Sequence, residues 1–333
     1  MLELFELSEK NRKDIYRLTA NELLINEAII EKDYWIVSML DILFSSSQFK
    51  DVFAFKGGTS LSKAYHKIDR FSEDIDLILD WRVLGYQSNE PWKERSKTQQ
   101  IKFNKEANKK ASDWIENIFV PDLSKIIKTF NIENFSATIS KDDSQTVQII
   151  YPNAFKDSSI LQEIRLEIGP LAAMTPTALK DISAFVTNFL PDSFEKSIVS
   201  VPTIESKRTF WEKVTILHKE ANRINNSTPK RYSRHYYDVY KLAQSEVKNN
   251  AFDDIELLQE VIDFKTKFYP DNSAKYEDAK LGKIKLLPNE KQLDNVQEDY
   301  NIMKNMFFGK IPDLKDILDE LKELEKEISL LKF

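Results

Sequence analysis

Two adjacent glycines, Gly57 and Gly58, constrain the fold of this chain more than any other feature of its sequence. Glycine occurs six times in 333 residues, and this pair separates the apolar run 52–55 from a segment that begins with Thr59 and Ser60. Glycine is used where the backbone needs a positive φ or where another group approaches closely. Hydroxyl side chains are typical of a helix start. The pattern predicts a strand, a tight turn and a helix whose free N–H groups could cradle a phosphate.

A second predicted strand follows and carries two aspartates, Asp74 and Asp76, the first of them sixteen residues after Gly58. Because alternate side chains of a strand share a face, both carboxylates lie on one side, while Ile75 and Leu77 face the core. Carboxylates this close raise each other's pKa unless a cation lies between them. Oxygen ligands of this kind suit Mg²⁺ or Mn²⁺. With the glycine turn upstream, a metal site is a better interpretation than two solvated acids.

The composition excludes several classes of site and of protein. The chain has no cysteine and three histidines, which excludes disulfides, thiolate nucleophiles, iron–sulfur clusters and Cys-type zinc sites. The acidic segment 1–10 does not resemble a signal peptide, and no apolar stretch is long enough to span a bilayer. We therefore expect a soluble, cytoplasmic protein with no membrane partner.

Charge is unevenly distributed along the chain. The net charge is −6, which argues against a DNA-coating protein. Residues 93–110, however, hold seven Lys or Arg against two Glu, and residues 205–241 hold nine against four acids. Either stretch alone is typical of a solvated helix face, whereas two such stretches in an acidic chain indicate a localised polyanion site.

Hydrophobic periodicity predicts a mixed first part and a helical second part. Strands are expected at 52–55, 75–79, 135–139, 147–151 and 160–168, with helices within 9–47 and 93–130. The proline-punctuated stretch 170–202 is expected to be irregular. Further helices are expected at 205–223, 234–248, 253–268, 290–306 and 313–331. The fold class is therefore α+β, with a core over 1–200 and a helical domain over 201–333.

The segment 55–79, FKGGTSLSKAYHKIDRFSEDIDLIL, resembles the nucleotidyltransferase toxins of the AbiEii/AbiGii type, relatives of the MenT toxins. These belong to the DNA polymerase β-like nucleotidyltransferase superfamily, whose signature is a glycine turn, a short helix and a strand bearing two acids. Four other segments match in the family's order: EKDYW at 31–35, QEIRLEI at 162–168, FWEK at 210–213 and RHYYDV at 234–239. The resemblance covers about residues 30–245. It implies a polymerase β-like core, a mixed twisted sheet with flanking helices, whose active-site cleft the helical domain completes.

Two positions depart from the family pattern. Thr59 replaces the commoner Ser, which keeps a hydroxyl, and His235 stands where the family usually has Asp. The second departure affects one secondary contact and leaves Asp238 in place.

The resemblance also implies a role for individual residues. Asp74, Asp76 and Glu167 would hold divalent Mg²⁺ or Mn²⁺, and Glu167 would help to activate the attacking hydroxyl. Lys213 would neutralise phosphate charge, and Asp238 would orient Lys213 or the base. The triphosphate of an incoming nucleotide would be held by a larger set, namely Gly57, Gly58, Thr59, Ser60, Lys63, Arg70 and Ser72.

The residues from the later segments also have a structural alternative to a catalytic role. Glu167 could be a solvated strand acid, although alternation with Ile164, Leu166 and Ile168 places it on a polar face. A single lysine in a charged helix, such as Lys213, is usually a surface residue.

The implied function is that of a toxin-like nucleotidyltransferase that uses a nucleoside triphosphate and modifies tRNA or a protein. It would be the toxin of a toxin–antitoxin or phage-defence pair, whose antitoxin need not contact it. One alternative is transfer to a small molecule, as in the aminoglycoside nucleotidyltransferases. Another is a non-catalytic interaction protein that uses the apolar stripe of 311–331, although such stripes mostly pack on their own domain.

Overall fold

The computed structural model describes residues 2–157, 160–223, 229–279 and 283–331. The chain divides into two compact units, one of residues 1–64 and 72–204 and the other of residues 65–71 and 205–333. The short segment 65–71, which lies between the predicted glycine turn and the aspartate strand, therefore belongs to the second unit.

The first unit is built on a mixed sheet with helices around it. Its strands are β1 (Phe53–Lys56), β2 (Asp74–Leu79), β3 (Ser136–Ile139), β4 (Thr146–Ile150), β5 (Glu163–Gly169), β6 (Thr177–Ile182) and β7 (Val199–Ile204). Their order across the sheet is β3-β4-β5-β2-β1-β7-β6. Strand β2 runs antiparallel to β1 and parallel to β5. The helices are α1 (Glu9–Leu23), α2 (Glu27–Ser45), α3 (Gly57–Lys63), α4 (Lys97–Trp114), α5 (Val120–Thr129) and α6 (Phe185–Phe189). This confirms the α+β class.

Strands β6 and β7 were expected to be irregular, and that expectation is wrong. Pro176 precedes β6, and Pro202 lies within β7 opposite Leu179. Proline inside a run argues against a strand, because it cannot donate to the ladder. Strand β7 nevertheless has a neighbour on each side, and Phe55 pairs with Thr203. Pairing between distant segments therefore overrides the local signal.

The helix predicted over 93–130, with a break expected near Pro121, is interrupted just before that proline. One π-helical turn, Ile115–Phe119, connects α4 to α5, and Pro121 lies in the first turn of α5. Proline is tolerated there because the first N–H groups of a helix have no partner within it.

The EKDYW element anchors two other segments to the buried helix α2. Glu31 accepts hydrogen bonds from the backbone N–H groups of Ala154 and Phe155. Lys32 lies 2.8 Å from the Glu73 carboxylate, and both side chains are fully buried. A buried ion pair of this kind holds the start of β2, because Glu73 immediately precedes Asp74.

We expect Lys32→Met to lower the free energy of unfolding by about 3 kcal/mol, because it leaves the Glu73 carboxylate buried without its cation. Chemical denaturation measures this. As a matched control, Lys13→Met breaks an exposed pair with Glu9 and should cost under about 1 kcal/mol. Equal losses in the two variants would contradict the assignment.

Glu31 predicts a pH-dependent stability. Burial raises the pKa of its carboxyl to about 7, although the two backbone donors oppose that shift. A raised acid pKa gives stability that is complete below the unfolded value near 4.5 and is lost as the pH rises through about 7. The unfolding free energy of the parent, relative to Glu31→Gln, should therefore fall by about 3 kcal/mol between pH 4.5 and 8. Denaturation at several pH values checks this, with exposed Glu22→Gln as the control that shows no such trend.

The second unit is helical in its described residues. After the segment 65–71 come α7 (Ser206–Ala221), α8 (Ser233–Ala243), α9 (Glu246–Phe252), α10 (Glu256–Phe268), α11 (Leu293–Met303) and α12 (Leu314–Leu330). The helix predicted at 234–248 is two helices, since Ser245 caps α9 with its hydroxyl.

Helix α12 carries the apolar stripe for which binding to another protein was the alternative prediction, and it buries that stripe. It packs against α8 of its own unit, with Leu314, Ile317, Leu321, Leu324 and Ile328 buried. The stripe is therefore core, as expected for most such patterns. Across the described residues, no helix is both long enough and apolar enough to cross a membrane.

Candidate active site

The three predicted acids lie on one face of the sheet. Asp74 and Asp76 alternate along β2 with the buried residues Ile75 and Leu77. Glu167 of the neighbouring strand β5 is the register partner of Asp76. Because partners on parallel strands point to the same side, the Glu167 carboxylate shares the face of both aspartates.

The glycine turn meets this face at Asp76. Gly57 has a φ of +81°, a left-handed conformation that favours glycine. A Cβ atom at Gly57 would lie 1.9 Å from Asp76 Oδ2 and 2.5 Å from its Cγ. No side chain fits that space, so the turn requires glycine both for its torsion and for its contact. Gly57 and Asp76 are thus neighbours in the fold.

The hydroxyls after the turn are used within the fold. Thr59 donates to the backbone carbonyl of Asp74, and Ser60 Oγ lies 2.9 Å from the carbonyl oxygen of Gly57. Both residues are buried. The Thr59 bond fixes α3 against β2, whereas the Ser60 bond lies within α3, and Gly57 and Gly58 stay half-buried.

Two positively charged side chains on the same face were not among the site residues predicted from the sequence. Arg165 is the register partner of Asp74, and Lys56 is the register partner of Asp76. A hydrogen bond from Arg165 Nε to Glu163, at 2.9 Å, raises the pKa of the guanidinium, and Asp74 and Glu167 act in the same direction. The alternation of Glu163, Arg165 and Glu167 along β5 was the sequence signal that could have placed Arg165 on this face. The acids thus lie beside fixed positive charge, which would balance part of their repulsion.

The donor chemistry of this face fits a divalent cation. The carboxylate oxygens of Asp74 and Asp76 are the ligand type that Mg²⁺ and Mn²⁺ take. Within the described ranges, no group of three or more acidic, histidine or cysteine side chains is arranged to hold a metal ion. The roles of Asp74, Asp76 and Glu167 as metal ligands therefore stay predictions.

Two predicted phosphate contacts also belong to the first unit. Lys63 Nζ lies 2.7 Å from Asp33 and 4.1 Å from the centre of the Phe185 ring, and its side chain is 7% exposed. Ser72 is half-buried, two residues before Asp74. Lys63 thus has a buried carboxylate partner, and its contact with phosphate stays a prediction.

The remaining predicted residues form a buried cluster in the second unit. Asp238 accepts two hydrogen bonds from Arg70, from Nε and Nη2, each at 2.7 Å. Lys213 Nζ lies 2.7 Å from the same carboxylate. All three side chains are buried, so Lys213 is not the surface lysine of the structural alternative. Asp238 and Lys213 are in contact, as their paired roles require.

The electrostatics of this cluster favour an ionised carboxylate. Burial alone would raise the pKa of Asp238, but Arg70 and Lys213 outweigh it and hold that pKa well below its usual range. Burial lowers the pKa of the Lys213 ammonium. His235, the family departure, has a pKa well below its ordinary value because of burial and the nearby Lys213 and Arg234. A neutral imidazole therefore replaces the usual acid.

The family model described as the nucleotidyl transferase AbiEii toxin, type IV toxin–antitoxin system, matches residues 39–322. No curated protein matched. Among solved structures, MenT4, a nucleotidyltransferase toxin of Mycobacterium tuberculosis H37Rv, aligns at a TM-score of 0.41 and 13% identity, covering 96% of this chain and 99% of that one.

A second solved structure is that of an H. pylori protein assigned as a nucleotidyltransferase. It aligns at a TM-score of 0.37 and 16% identity, and the alignment covers 94% of each chain. The family model spans most of the chain and includes the glycine turn, the acids of β2 and β5 and the Lys213–Asp238 pair. The chain therefore belongs to the AbiEii family of nucleotidyltransferase toxins of type IV toxin–antitoxin systems.

Proposed function

We propose that this nucleotidyltransferase moves a nucleoside monophosphate from a nucleoside triphosphate to tRNA, with Mg²⁺ or Mn²⁺ as cofactor. The observation that carries the proposal is the contact between the glycine turn and Asp76. A Cβ at Gly57 would lie 1.9 Å from the Asp76 carboxylate, so the backbone at the turn and the acid face border the same space. A cation held by Asp74 and Asp76 would thus lie beside the backbone that receives the phosphates.

The reaction exchanges one phosphorus–oxygen bond for another. An acceptor hydroxyl bonds to the α-phosphorus, the bond between the α- and β-phosphates breaks, and pyrophosphate leaves. Glu167, on the face shared with Asp76, would take the proton of the hydroxyl. A divalent cation, when bound, would neutralise negative charge on the reacting phosphates.

Positively charged side chains of the protein would also neutralise negative charge on the reacting phosphates. Arg165 lies beside Asp74 in register and keeps its charge at all relevant pH values. Lys213, with the ionised Asp238 at 2.7 Å, would act on phosphate charge in the role implied by the family. Catalysis of this type depends on positioning and on charge neutralisation, so a chain without cysteine has the groups that it needs.

Transfer of labelled nucleotide tests the proposal. Each of the four α-labelled nucleoside triphosphates is incubated with the protein, Mg²⁺ and total tRNA, and we expect label on tRNA with at least one of them. Chelation of the cation should abolish that label. Absence of label with all four nucleotides would count against the proposal, and label on a small hydroxyl compound alone would favour the antibiotic-type alternative.

A further inference from the structure

The outer face of α4 in the first unit carries an unusual concentration of positive charge. Lys97, Lys102 and Lys105 are exposed, and none of them makes a salt bridge within the described part of the chain. The acids of the same helix, Glu106 and Asp113, are already paired with other lysines of the helix. The three lysines therefore present charge that the protein itself does not neutralise.

The start of the helix adds to this charge. Ser96 caps α4 in a capping box with Gln99, and the first turn contains no acid. The partial positive charge of the helix N-terminus is therefore not offset by a carboxylate in that turn. From Lys97 to Lys105 the helix rises by roughly 12 Å, so the lysines extend over more than two turns.

Aromatic groups lie within the same surface. Trp92 is 41% exposed, and its ring meets Trp81 edge-on at 6.3 Å. A shallow groove of about 390 Å³ beside the helix is lined by three basic residues, Lys93, Arg95 and Lys102, by two acids, Glu94 and Glu106, and by Gln99 and Phe103. Basic side chains next to an exposed aromatic ring suit a nucleic-acid strand, since phosphates pair with the cations and a base can stack.

Arg95 gives this groove a fixed shape. Its guanidinium donates to the backbone carbonyls of Glu90, Pro91 and Lys93 and lies 3.9 Å from the centre of the Phe103 ring. The turn before the helix is therefore tied down by its own side chains. A preorganised surface loses less conformational entropy when it binds.

We propose that this surface, formed by the outer face of α4 and residues 92–95 before it, binds the sugar–phosphate backbone of the acceptor RNA. The proposal rests on the proposed transfer to tRNA and assigns the place where the acceptor docks. RNA is favoured over an acidic protein because the surface combines Lys97, Lys102 and Lys105, which make no salt bridge among the described residues, with the exposed indole of Trp92. It is favoured over a lipid headgroup because the surface is a groove whose shape is held by the protein's own side chains.

The test compares tRNA binding by two charge-reversed variants of the full chain. The surface variant carries Lys97→Glu, Lys102→Glu and Lys105→Glu. The control variant carries the same change at three exposed lysines of the same unit, namely Lys10, Lys50 and Lys128. Both variants have the same net charge, so a general electrostatic effect would lower binding equally in the two.

Fluorescence anisotropy of labelled bulk tRNA at increasing KCl is the readout. We expect the surface variant to bind at least about tenfold more weakly than the control. For the surface variant, the slope of log K against log salt should be shallower by about 0.7 to 0.9 for each phosphate that the protein no longer neutralises. Trp92→Ala should weaken binding severalfold with the salt slope unchanged, because stacking releases no counterions. Equal binding by the two charge variants would overturn the inference. The inference would also be overturned if the surface variant lost binding to phosphatidylserine vesicles while its binding to tRNA stayed unchanged.

Nucleotide transfer separates this inference from the proposed function. If both hold, the surface variant raises KM for tRNA about tenfold and leaves kcat within about twofold of the parent, since the lysines lie outside the acid face. Unchanged KM with active transfer would overturn the docking surface alone. Surface-dependent tRNA binding without transfer of any nucleotide would overturn the proposed function and leave the docking surface standing.

Discussion

Replacing Asp76 by Asn lowers nucleotide transfer by at least about a thousandfold, because an amide binds a divalent cation far more weakly than a carboxylate does. The fold should survive, since the change removes one of two neighbouring negative charges and keeps the shape of the side chain. Labelled transfer to tRNA measures the loss, and thermal unfolding in the same preparation shows that the protein is intact.

Asp51→Asn is the matched control, because this aspartate is exposed and lies outside the acid face. It should transfer nucleotide at the parent rate. Transfer by Asp76→Asn within about tenfold of the parent would exclude the proposed role of the acid pair, since loss of one donor for the cation costs far more. Growth inhibition that persists unchanged in Asp76→Ala would favour a non-catalytic interaction protein instead.

Gly57→Ala abolishes most transfer through a single methyl group. The added Cβ would lie 1.9 Å from Asp76 Oδ2, so the carboxylate must rotate away from the position that it holds in the fold. We expect transfer to fall by at least about a hundredfold, as displaced catalytic groups lose their alignment. Stability should fall by about 1 kcal/mol, because alanine is strained at positive φ.

Gly85→Ala separates the two effects of that substitution. Gly85 has a φ of +83°, nearly the same as Gly57, but a Cβ there meets nothing within 4 Å. Both variants should therefore lose the stability that positive φ costs, and only Gly57→Ala should lose transfer. Parallel losses of activity would show that backbone strain, rather than contact with Asp76, explains the effect.

Local patterns predicted the part of the site that is contiguous in the chain. Alternation in β2 indicated that Asp74 and Asp76 share a face, and the scarcity of glycine indicated that Gly57 serves a special backbone position. Both conclusions follow from short-range geometry, which depends on neighbouring residues alone. The same holds for most of the helices, whose periodicity is a local property.

Other features could not be read from local patterns. The cations Arg165 and Lys56 acquire their place beside the acids only through strand register. The buried pairs of Lys32 with Glu73 and of Lys63 with Asp33 join residues far apart in sequence. Nothing in a lysine's own neighbourhood distinguishes a buried partner from a solvated one, because burial depends on what the rest of the chain places around it.

The α+β class, the glycine turn and the acid strand follow from local sequence patterns, and the family follows from the resemblance. The tertiary structure decided that β7 lies inside the sheet, that the apolar stripe of α12 is core, and that Asp238 holds Arg70 and Lys213 together. The physical reason is the range of the interactions. Torsional preference and side-chain alternation act over a few residues, whereas strand pairing, packing and buried ion pairs form between segments that only the folded chain brings into contact.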